Sequence, residues 1–148
     1  MSAFRGKLVT GEIATGTAAK TLVQLIAPAN HRLRVVSYKI SFKGTSATAA
    51  PIKVRLLRQS TAGTMSALTP VKLDDSIAET LLATAQHTAT AEPTAGDVLE
   101  SIEVHPQSGY EKIFAYGEEP IVGGGDRIGI EVTAGADVSA IAEIQYEE

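Results

Sequence analysis

Residues 31–43, HRLRVVSYKISFK, give the clearest indication of the fold class of this chain. Large apolar side chains occupy every second position, between arginine, serine and lysine, which is the period of a β-strand with one buried face. The alternation changes phase between Val35 and Val36. One inserted residue shifts the phase in this way, and such an insertion is a β-bulge. The stretch therefore predicts one long, bulged strand.

The same period of two recurs before and after this stretch, at residues 52–56, 127–132 and 138–146. Shorter candidate strands are residues 8–13, 20–26, 98–104, 112–116 and 120–122. Turn-forming residues separate the candidates at 14–17, 28–30, 44–51, 107–109, 123–126 and 134–137. Short strands at this spacing predict an all-β antiparallel sandwich of jelly-roll or Greek-key type.

Residues 60–97 interrupt this pattern with a long stretch rich in Thr, Ala and Ser. Loops above about 12–15 residues without structure are uncommon, so we expect small elements here. Ser76 and Glu79 have the capping-box spacing, which predicts a short helix over about 76–84. Residues 88–91 can pair as a strand. We interpret the stretch as an excursion from a single domain that spans residues 1–148.

The excursion carries large aliphatic side chains, among them Leu68, Val71, Leu81 and Leu82. It is too long for an internal loop and too apolar for a disordered one. We therefore expect the excursion to be more exposed than the strands and to lie more often at a contact with another subunit. Its aliphatic side chains must be covered by some part of the assembly.

Charge is divided unevenly along the chain, which has 148 residues and a net charge of −4. Residues 1–75 carry a net charge of +8, whereas residues 76–148 carry −12. In a Greek-key return, early basic strands pair with late acidic ones. We therefore expect strand 127–133 or 138–146 to lie antiparallel to strand 20–27 or 31–43. The alternative is that part of the charge faces another subunit and fixes its register.

The residues offer little sign of catalysis or ligand chemistry. His31, His87 and His105 lack zinc-like spacing, and the chain has no Cys. Residues 123–127, GGGDR, lack the ending of a phosphate loop and precede a strand, so they predict a tight turn. Asp74, Asp75 and Glu79 are too few for a calcium loop, and they are better explained as helix-start charge near the dipole.

We accordingly predict no catalytic, cofactor-binding or metal-binding residues, no cofactor and no enzymatic activity. Nucleic acid is not an expected partner, because there is no basic run and only four Tyr and three Phe could stack on bases. No apolar run approaches the ~20 residues of a membrane span, so no membrane association is expected.

Four strings resemble small structural proteins of tailed bacteriophages. They are FRGKL at residues 4–8, AQHTATAEPT at 85–94, HPQSGY at 105–110 and VGGGDRIG at 122–129. The segment GDRI also resembles the turn before the penultimate strands of viral jelly rolls. The resemblance implies a virion protein, either a capsid decoration or cement subunit or another head-associated subunit, but it carries over no functional residues.

The resemblance implies partners and a location as well. The major capsid protein and further copies of this chain are the expected partners, with a trimer favoured. The protein would be made in the host bacterial cytoplasm and would reside in the phage head.

An alternative function from a different class stays open at this point. A small β-sandwich can also bind a ligand or a glycan, for example as a host-recognition module. That role needs a pocket or an exposed aromatic patch. The sequence gives weak support for such a patch, since Tyr38, Phe42, Phe114 and Tyr146 fall mostly at predicted core positions.

Overall fold

The computed structural model of this chain describes residues 4–45 and 50–148, and this part is built from β-strands without a helix. The strands are β1 (Arg5–Val9), β2 (Ile13–Ala14), β3 (Lys20–Ile26), β4 (Leu33–Lys43), β5 (Ile52–Gln59), β6 (Thr64–Leu68), β7 (Val71–Lys72), β8 (Thr84–Ala91), β9 (Ala95–Val104), β10 (Gly109–Ile113), β11 (Ile121–Val122), β12 (Arg127–Thr133) and β13 (Ser139–Glu147). The turn predicted at 44–51 falls in part on residues 46–49, which lie outside the described residues.

Eight of the strands form a long antiparallel hairpin that is rolled into two sheets. From the ends of the hairpin to its tip, β1 pairs with β13, β3 with β12, β4 with β10, and β5 with β9. Additional pairing of β13 with β4 and of β12 with β5 completes the sheets. Sheet A has the order β10-β4-β13-β1-β7, and sheet B has the order β6-β8-β3-β12-β5-β9. This nesting is the jelly-roll arrangement, as the sequence predicted.

The long bulged strand predicted from residues 31–43 is β4, although it begins at Leu33. In its pairing with β13, Gln145 lies opposite Ser37 and the next residue, Tyr146, lies opposite Val35. Val36 has no partner on β13 and is the bulged residue. The change of phase in the sequence was therefore read correctly.

The hydrophobic core lies between the two sheets and is formed by their facing sides. Burial of these apolar side chains is the main favourable contribution to folding. The largest fully buried side chains are Tyr38, Tyr146, Leu8, Leu22, Leu25, Leu33, Ile40, Ile52, Leu56, Leu57, Ile128 and Ile130. All of them except Leu57 belong to the cluster between the sheets.

The helix predicted over residues 76–84 is wrong, because the backbone there forms turns and an extended segment. Three backbone N–H groups of this segment donate to side-chain carboxylates and not to carbonyl groups of a preceding helical turn. Ser76 N–H donates to the Asp74 carboxylate (3.0 Å), and Leu82 and Ala83 N–H donate to the Glu148 carboxylate (2.8 and 3.0 Å). Since these contacts satisfy the backbone without a helix, the capping-box spacing was misleading.

The excursion lies at the tip of the rolled hairpin, between β5 and β9, and it is shorter than predicted because β9 begins at Ala95. Its strands join both sheets: β6 and β8 extend sheet B beyond β3, and β7 pairs with β1 in sheet A. The strand expected at 88–91 is part of β8. A hairpin tip can accept an insertion because no other strand depends on its length.

Several shorter strands differ from their predicted bounds. Residues 8–13 contain parts of two strands, β1 and β2, and residues 10–12 between them are not strand. The strand predicted at 112–116 begins earlier and ends earlier, as β10. Both differences reflect pairing partners, which the sequence pattern does not contain.

The expected pairing of early basic with late acidic strands is confirmed. β12 lies antiparallel to β3, and β13 lies antiparallel to β4. Within residues 4–45 and 50–148, five of the seven ion pairs join a base from the first half to an acid from the second. The charge split is thus largely matched inside the chain, as the rolled hairpin requires.

Candidate functional site

In the part of the chain that the structure describes, one edge of sheet A has no further partner strand and carries exposed apolar side chains. Its strands, β10 and β11, both pair with β4. The backbone returns to β4 on each side of the intervening loop, because Phe114 N–H donates to Val36 O (3.0 Å) and Pro120 O accepts from Val35 N–H (2.9 Å). We call β10, β11 and residues 114–120 the open edge.

A hydrogen-bonded turn in the open edge carries Tyr116 into solvent, where the side chain is 93% exposed. Glu118 N–H donates to Ala115 O (2.9 Å), and Gly117 has a φ of 90°. A glycine with positive φ at this position is characteristic of a type II turn. Gly117 N–H also donates to the Glu119 carboxylate (2.7 Å). The backbone that presents the aromatic ring is therefore already ordered.

Side chains of the open edge alternate between the core and solvent. Tyr110 and Phe114 point inward, and each ring lies 6.1 Å from the ring of Tyr38. Ile113 points outward and is 68% exposed, and Ile121 is also exposed. The inner rings anchor the edge, while the described residues of the chain leave Ile113, Tyr116 and Ile121 exposed.

A small pocket of about 160 Å³ adjoins the open edge, and we call it the arginine pocket. It is lined by Arg32, Leu33, Arg34, Ile121, Glu147 and Glu148. Arg34 Nη1 lies 3.9 Å from Glu147 Oε2, whereas Arg32 forms no ion pair within residues 4–45 and 50–148. The pocket therefore has an apolar floor and a guanidinium group that is not neutralised.

A larger cleft of about 320 Å³ lies on the other side of the loop, between β9 and β10. It is lined by Arg58, Leu99, Glu100, Lys112, Phe114, Glu118 and Pro120. The Lys112 ammonium lies 5.8 Å from the centre of the Phe114 ring and 3.7 Å from Glu100. We call this the mixed cleft, because both charge signs and an aromatic ring face the same space.

A second apolar region lies on the excursion. Leu73, Val71 and Leu82 are exposed, and Leu82 helps to line a pocket of about 300 Å³ together with Phe4, His31, Glu79, Thr80 and Glu148. Leu68 and Leu81 are half-buried. The excursion is mostly exposed, as predicted, but residues 4–45 and 50–148 leave Val71 and Leu82 uncovered. Their burial by another subunit stays a prediction.

The three histidines lie in separate places. His31 is exposed beside the turn at Asn30, His87 lies in β8 with its Nδ1 2.9 Å from Thr88 Oγ1, and His105 Nδ1 accepts from Gln107 N–H (3.1 Å). Among the described residues there is no group of three or more His, Cys, Asp or Glu side chains that could hold a metal ion.

The other two motifs considered from the sequence form local turns. Asp126 N–H donates to Gly123 O (2.9 Å) and Gly125 has a φ of 82°, so the glycine-rich segment is the tight turn before β12. Asp74 accepts from Ser76, and these hydrogen bonds lower the pKa of its carboxyl group below the usual value. The acidic segment thus caps a turn and not a helix.

Two tyrosines are buried in the core without hydrogen-bond partners for their hydroxyl groups within residues 4–45 and 50–148: Tyr38 and Tyr146. Burial is the main cause that raises the pKa of each phenol above its usual value. Negative charge, from Glu100 near Tyr38 and from Glu148 near Tyr146, raises each pKa further. Both groups are therefore neutral packing elements.

The sequence interpretation missed Tyr116, which it placed at the end of a strand. A signal was present, since the segment YGEEP at residues 116–120 contains the glycine and proline of a turn. A Tyr before such a glycine occupies the outer corner of the turn, where burial by its own chain is difficult.

No protein-family model matches this sequence, and no curated protein or solved structure shows significant similarity to it. In the described part of the chain, no helix has the length and apolar character needed to cross a membrane.

Proposed function

We propose that this chain is a structural subunit of a tailed-bacteriophage virion, a capsid decoration or cement protein of the phage head. It stabilises the head through contacts with the major capsid protein and with copies of itself. The phage-like strings in the sequence support this role. The jelly-roll arrangement also supports it, since viral capsid proteins use the same arrangement.

The observation that carries the proposal is the exposed apolar surface of the open edge. Ile113, Tyr116 and Ile121 are all exposed, and they belong to one segment whose backbone is hydrogen-bonded to β4 at both ends. Several exposed apolar side chains on one edge favour an interaction site, and tyrosine is enriched among the residues that dominate binding energy. An ordered turn also reduces the entropy lost when the surface is covered.

The mechanism is the addition of contact area between neighbouring shell subunits. A specific protein interface buries about 1,200–2,000 Å² in total. If the subunit touches two neighbours at once, each contact raises the effective concentration of the other, so that modest single contacts add up to firm attachment.

Purified phage particles test the proposal directly. Mass spectrometry of particles from a phage that encodes this chain should detect it at a copy number comparable with that of shell subunits. Purified protein should also cosediment with particles from which it has been deleted. Absence from particles, or failure to cosediment, would overturn the proposal.

Paired variants locate the surface. The double variant Ile113→Ser and Tyr116→Ser should reduce cosedimentation strongly, because it removes the apolar edge without touching the core. A double variant at two other exposed aliphatic side chains, Leu73→Ser and Val98→Ser, serves as the control, and both are less exposed than the open-edge pair. Equal loss for both pairs would show that the open edge is not the specific surface.

A ligand-binding or glycan-binding role is the second candidate, and the mixed cleft favours it. Lys112, Glu100 and Phe114 provide charge, hydrogen bonding and a ring face within one cleft of about 320 Å³. Glycan-array binding that is lost in a Phe114→Leu variant would support it. No binding above background would remove this candidate without affecting the virion proposal.

A further inference from the structure

The arginine pocket matches the Tyr116 side chain in size. Its volume is about 160 Å³, and a protein cavity of about 150 Å³ is known to accept benzene. Leu33 and Ile121 supply the apolar floor, while Arg32 and Arg34 stand at its wall. Guanidinium groups bind the face of a tyrosine ring through cation–π attraction. The pocket is therefore suited to a phenol ring.

Charge selects this pocket over the two others described. Tyr116 is followed on the same turn by Glu118 and Glu119, so a matching pocket must offer a base without an acidic partner. The arginine pocket also contains Glu147 and Glu148, but Glu147 pairs with Arg5 and Arg34, and Glu148 accepts from Leu82 and Ala83 N–H, so Arg32 stays available. The mixed cleft contains Glu118 itself and the pocket beside Leu82 contains Glu79, and neither carboxylate has an ion pair within residues 4–45 and 50–148. An acidic turn is repelled by those carboxylates.

We propose that Tyr116 of one copy inserts into the arginine pocket of a second copy, with Glu118 beside Arg32. The inference rests on the proposed function, because it names the partner of the open edge as another copy of the same chain. In the isolated chain Tyr116 is almost fully exposed, so it does not fill its own pocket. Arg32, which has no ion pair within the described part of the chain, gains one across the contact.

The tyrosine and the pocket lie on the same surface, since Ile121 both lines the pocket and ends the loop that carries Tyr116. Two copies related by a two-fold axis can therefore exchange tyrosines reciprocally. A cyclic assembly instead passes each tyrosine to the pocket of the next copy, and closes if the rotation allows. Either arrangement uses the same pair of sites.

Sedimentation equilibrium of the purified protein tests the contact. Wild-type protein should self-associate. Tyr116→Ala and Arg32→Glu should each raise the dissociation constant about 30-fold or more, the effect of losing a dominant interface residue. Leu73→Ala, with an exposed side chain on the excursion, is the matched control and should associate like the wild type. An unfolding transition should be measured for each variant. Because the substituted side chains are exposed, we expect each variant to fold like the wild type.

One mixture and one double variant distinguish a specific contact from non-specific association. Tyr116→Ala retains the pocket and Arg32→Glu retains the tyrosine, so an equimolar mixture should form hetero-oligomers where neither variant alone does. The double variant Arg32→Glu and Glu118→Arg restores opposite charges across the contact and should recover most of the association.

Wild-type protein that stays monomeric up to its solubility limit would overturn the inference, as would unchanged association of Tyr116→Ala. The proposed function is tested by a separate result, which is cosedimentation with particles. Monomeric protein that still cosediments with particles would leave the virion role intact, whereas a Tyr116-dependent oligomer absent from particles would remove that role and leave the contact.

Discussion

The outer faces of the two sheets have similar sequence patterns but different surroundings. On both faces polar residues alternate with core residues, as expected for sheets with one buried side. The outer face of sheet A is in contact with solvent. Part of the outer face of sheet B is covered by its own chain, and the polar side chains of Thr21, Gln24 and Gln59 are buried there. Polar residues thus contribute to stability very differently on the two faces.

On sheet A the outer face carries a set of charged residues centred on β13. Glu143 lies between Lys7 of β1 (3.1 Å) and Lys39 of β4 (3.8 Å). Glu147 is placed in the same way between two arginines of these strands. The basic partners are substantially exposed, so water and salt screen the pairs and each is worth little.

On sheet B the corresponding position holds a buried amide network centred on Gln24. Its Nε2 donates to Gln59 Oε1 (2.8 Å) and to Thr61 O (3.1 Å), and its Oε1 accepts from Gln86 Nε2 (2.8 Å) and Arg127 Nη1 (3.0 Å). All four hydrogen bonds available to an amide side chain are formed. In a buried site such a network is worth more than isolated pairs.

Two crossing segments, residues 60–63 and 92–94, form the cover over this network. They connect the β5–β9 side of sheet B with the β6–β8 side. Ser60 N–H donates to Thr94 O (3.0 Å), and Ala62 O accepts from Gln86 Nε2 (2.8 Å). Glu92 accepts from Thr21 N–H (2.7 Å), at a point where β8 no longer pairs with β3. The excursion therefore changes the environment of an otherwise ordinary sheet face.

The largest effect is expected from Gln24→Leu. The change leaves Gln59 Oε1 without its donor in a buried site and removes the acceptor of Gln86 Nε2 and Arg127 Nη1, so we expect a loss of about 3 kcal/mol in the free energy of unfolding. The matched control is Gln145→Leu, in the central strand of sheet A, where we expect a change within about 0.5 kcal/mol. Urea unfolding measures both. Equal losses would remove the distinction between the two faces.

The next effect is expected from Gly129→Ala, beneath the network in β12. An added Cβ would collide with the side-chain amide of Gln59. Overpacking of this kind costs about 2 kcal/mol. Gly11→Ala is the control, because nothing lies within 4 Å of an added Cβ there. Thermal unfolding should separate the two variants. A stable Gly129→Ala protein would mean that the amide network yields easily.

A buried polar group without partners provides the opposite case to Gln24. We expect Tyr146→Phe to increase the free energy of unfolding by about 1 kcal/mol at neutral pH, because it removes an unpaired hydroxyl. Burial raises the pKa of the Tyr146 phenol in the folded state above its ordinary value of 10.0. The phenol is therefore neutral in both states below pH 10, where it makes stability independent of pH. Above that pH the unfolded state ionises more readily than the folded state, so the free energy of unfolding falls.

Urea unfolding of wild type and Tyr146→Phe from about pH 8 to about pH 11 checks this sign, because the phenol ionises near pH 10 when exposed. The wild type should lose more stability than the variant across that range. Identical pH profiles would show that the hydroxyl has a partner in solution.

The smallest effect is expected from Glu143→Gln on the solvent-exposed face of sheet A. Its two lysine partners are screened, so we expect a loss below about 1 kcal/mol that shrinks at high salt. The control is Glu131→Gln in sheet B, where the carboxylate is buried against Arg55 (3.0 Å) and the cost should be greater. A larger loss at Glu143 than at Glu131 would reverse the comparison.

Particular residues show which parts of the fold could be predicted. The phase change at Val35 and Val36 predicted a bulge, because a strand's side chains alternate with a fixed period and only an inserted residue shifts it. The charge split predicted which strands pair, because like charges on neighbouring strands repel. In contrast, Ser76 and Glu79 predicted a helix that does not form. Their local spacing could not reveal that Glu148 binds the backbone at residues 82 and 83.

The candidate site was predicted less well, for the same physical reason. Tyr116 has an ordinary sequence context, and its exposure depends on where the loop leaves β4. The arginine pocket brings together Arg32, Ile121 and Glu148, which are distant in the sequence. No periodicity encodes such a juxtaposition.

The strand character, the bulge in β4, the glycine turn before β12 and the pairing of basic with acidic strands could all be predicted from the order of residues. Each depends on local backbone preference or on the sum of many charges. Only the folded chain shows that Gln24 is buried while Gln145 is half-exposed, and that Tyr116 and the arginine pocket belong to one surface. Those properties depend on which distant segment covers a residue, and residues 60–63 and 92–94 take their places only when the rolled hairpin has formed.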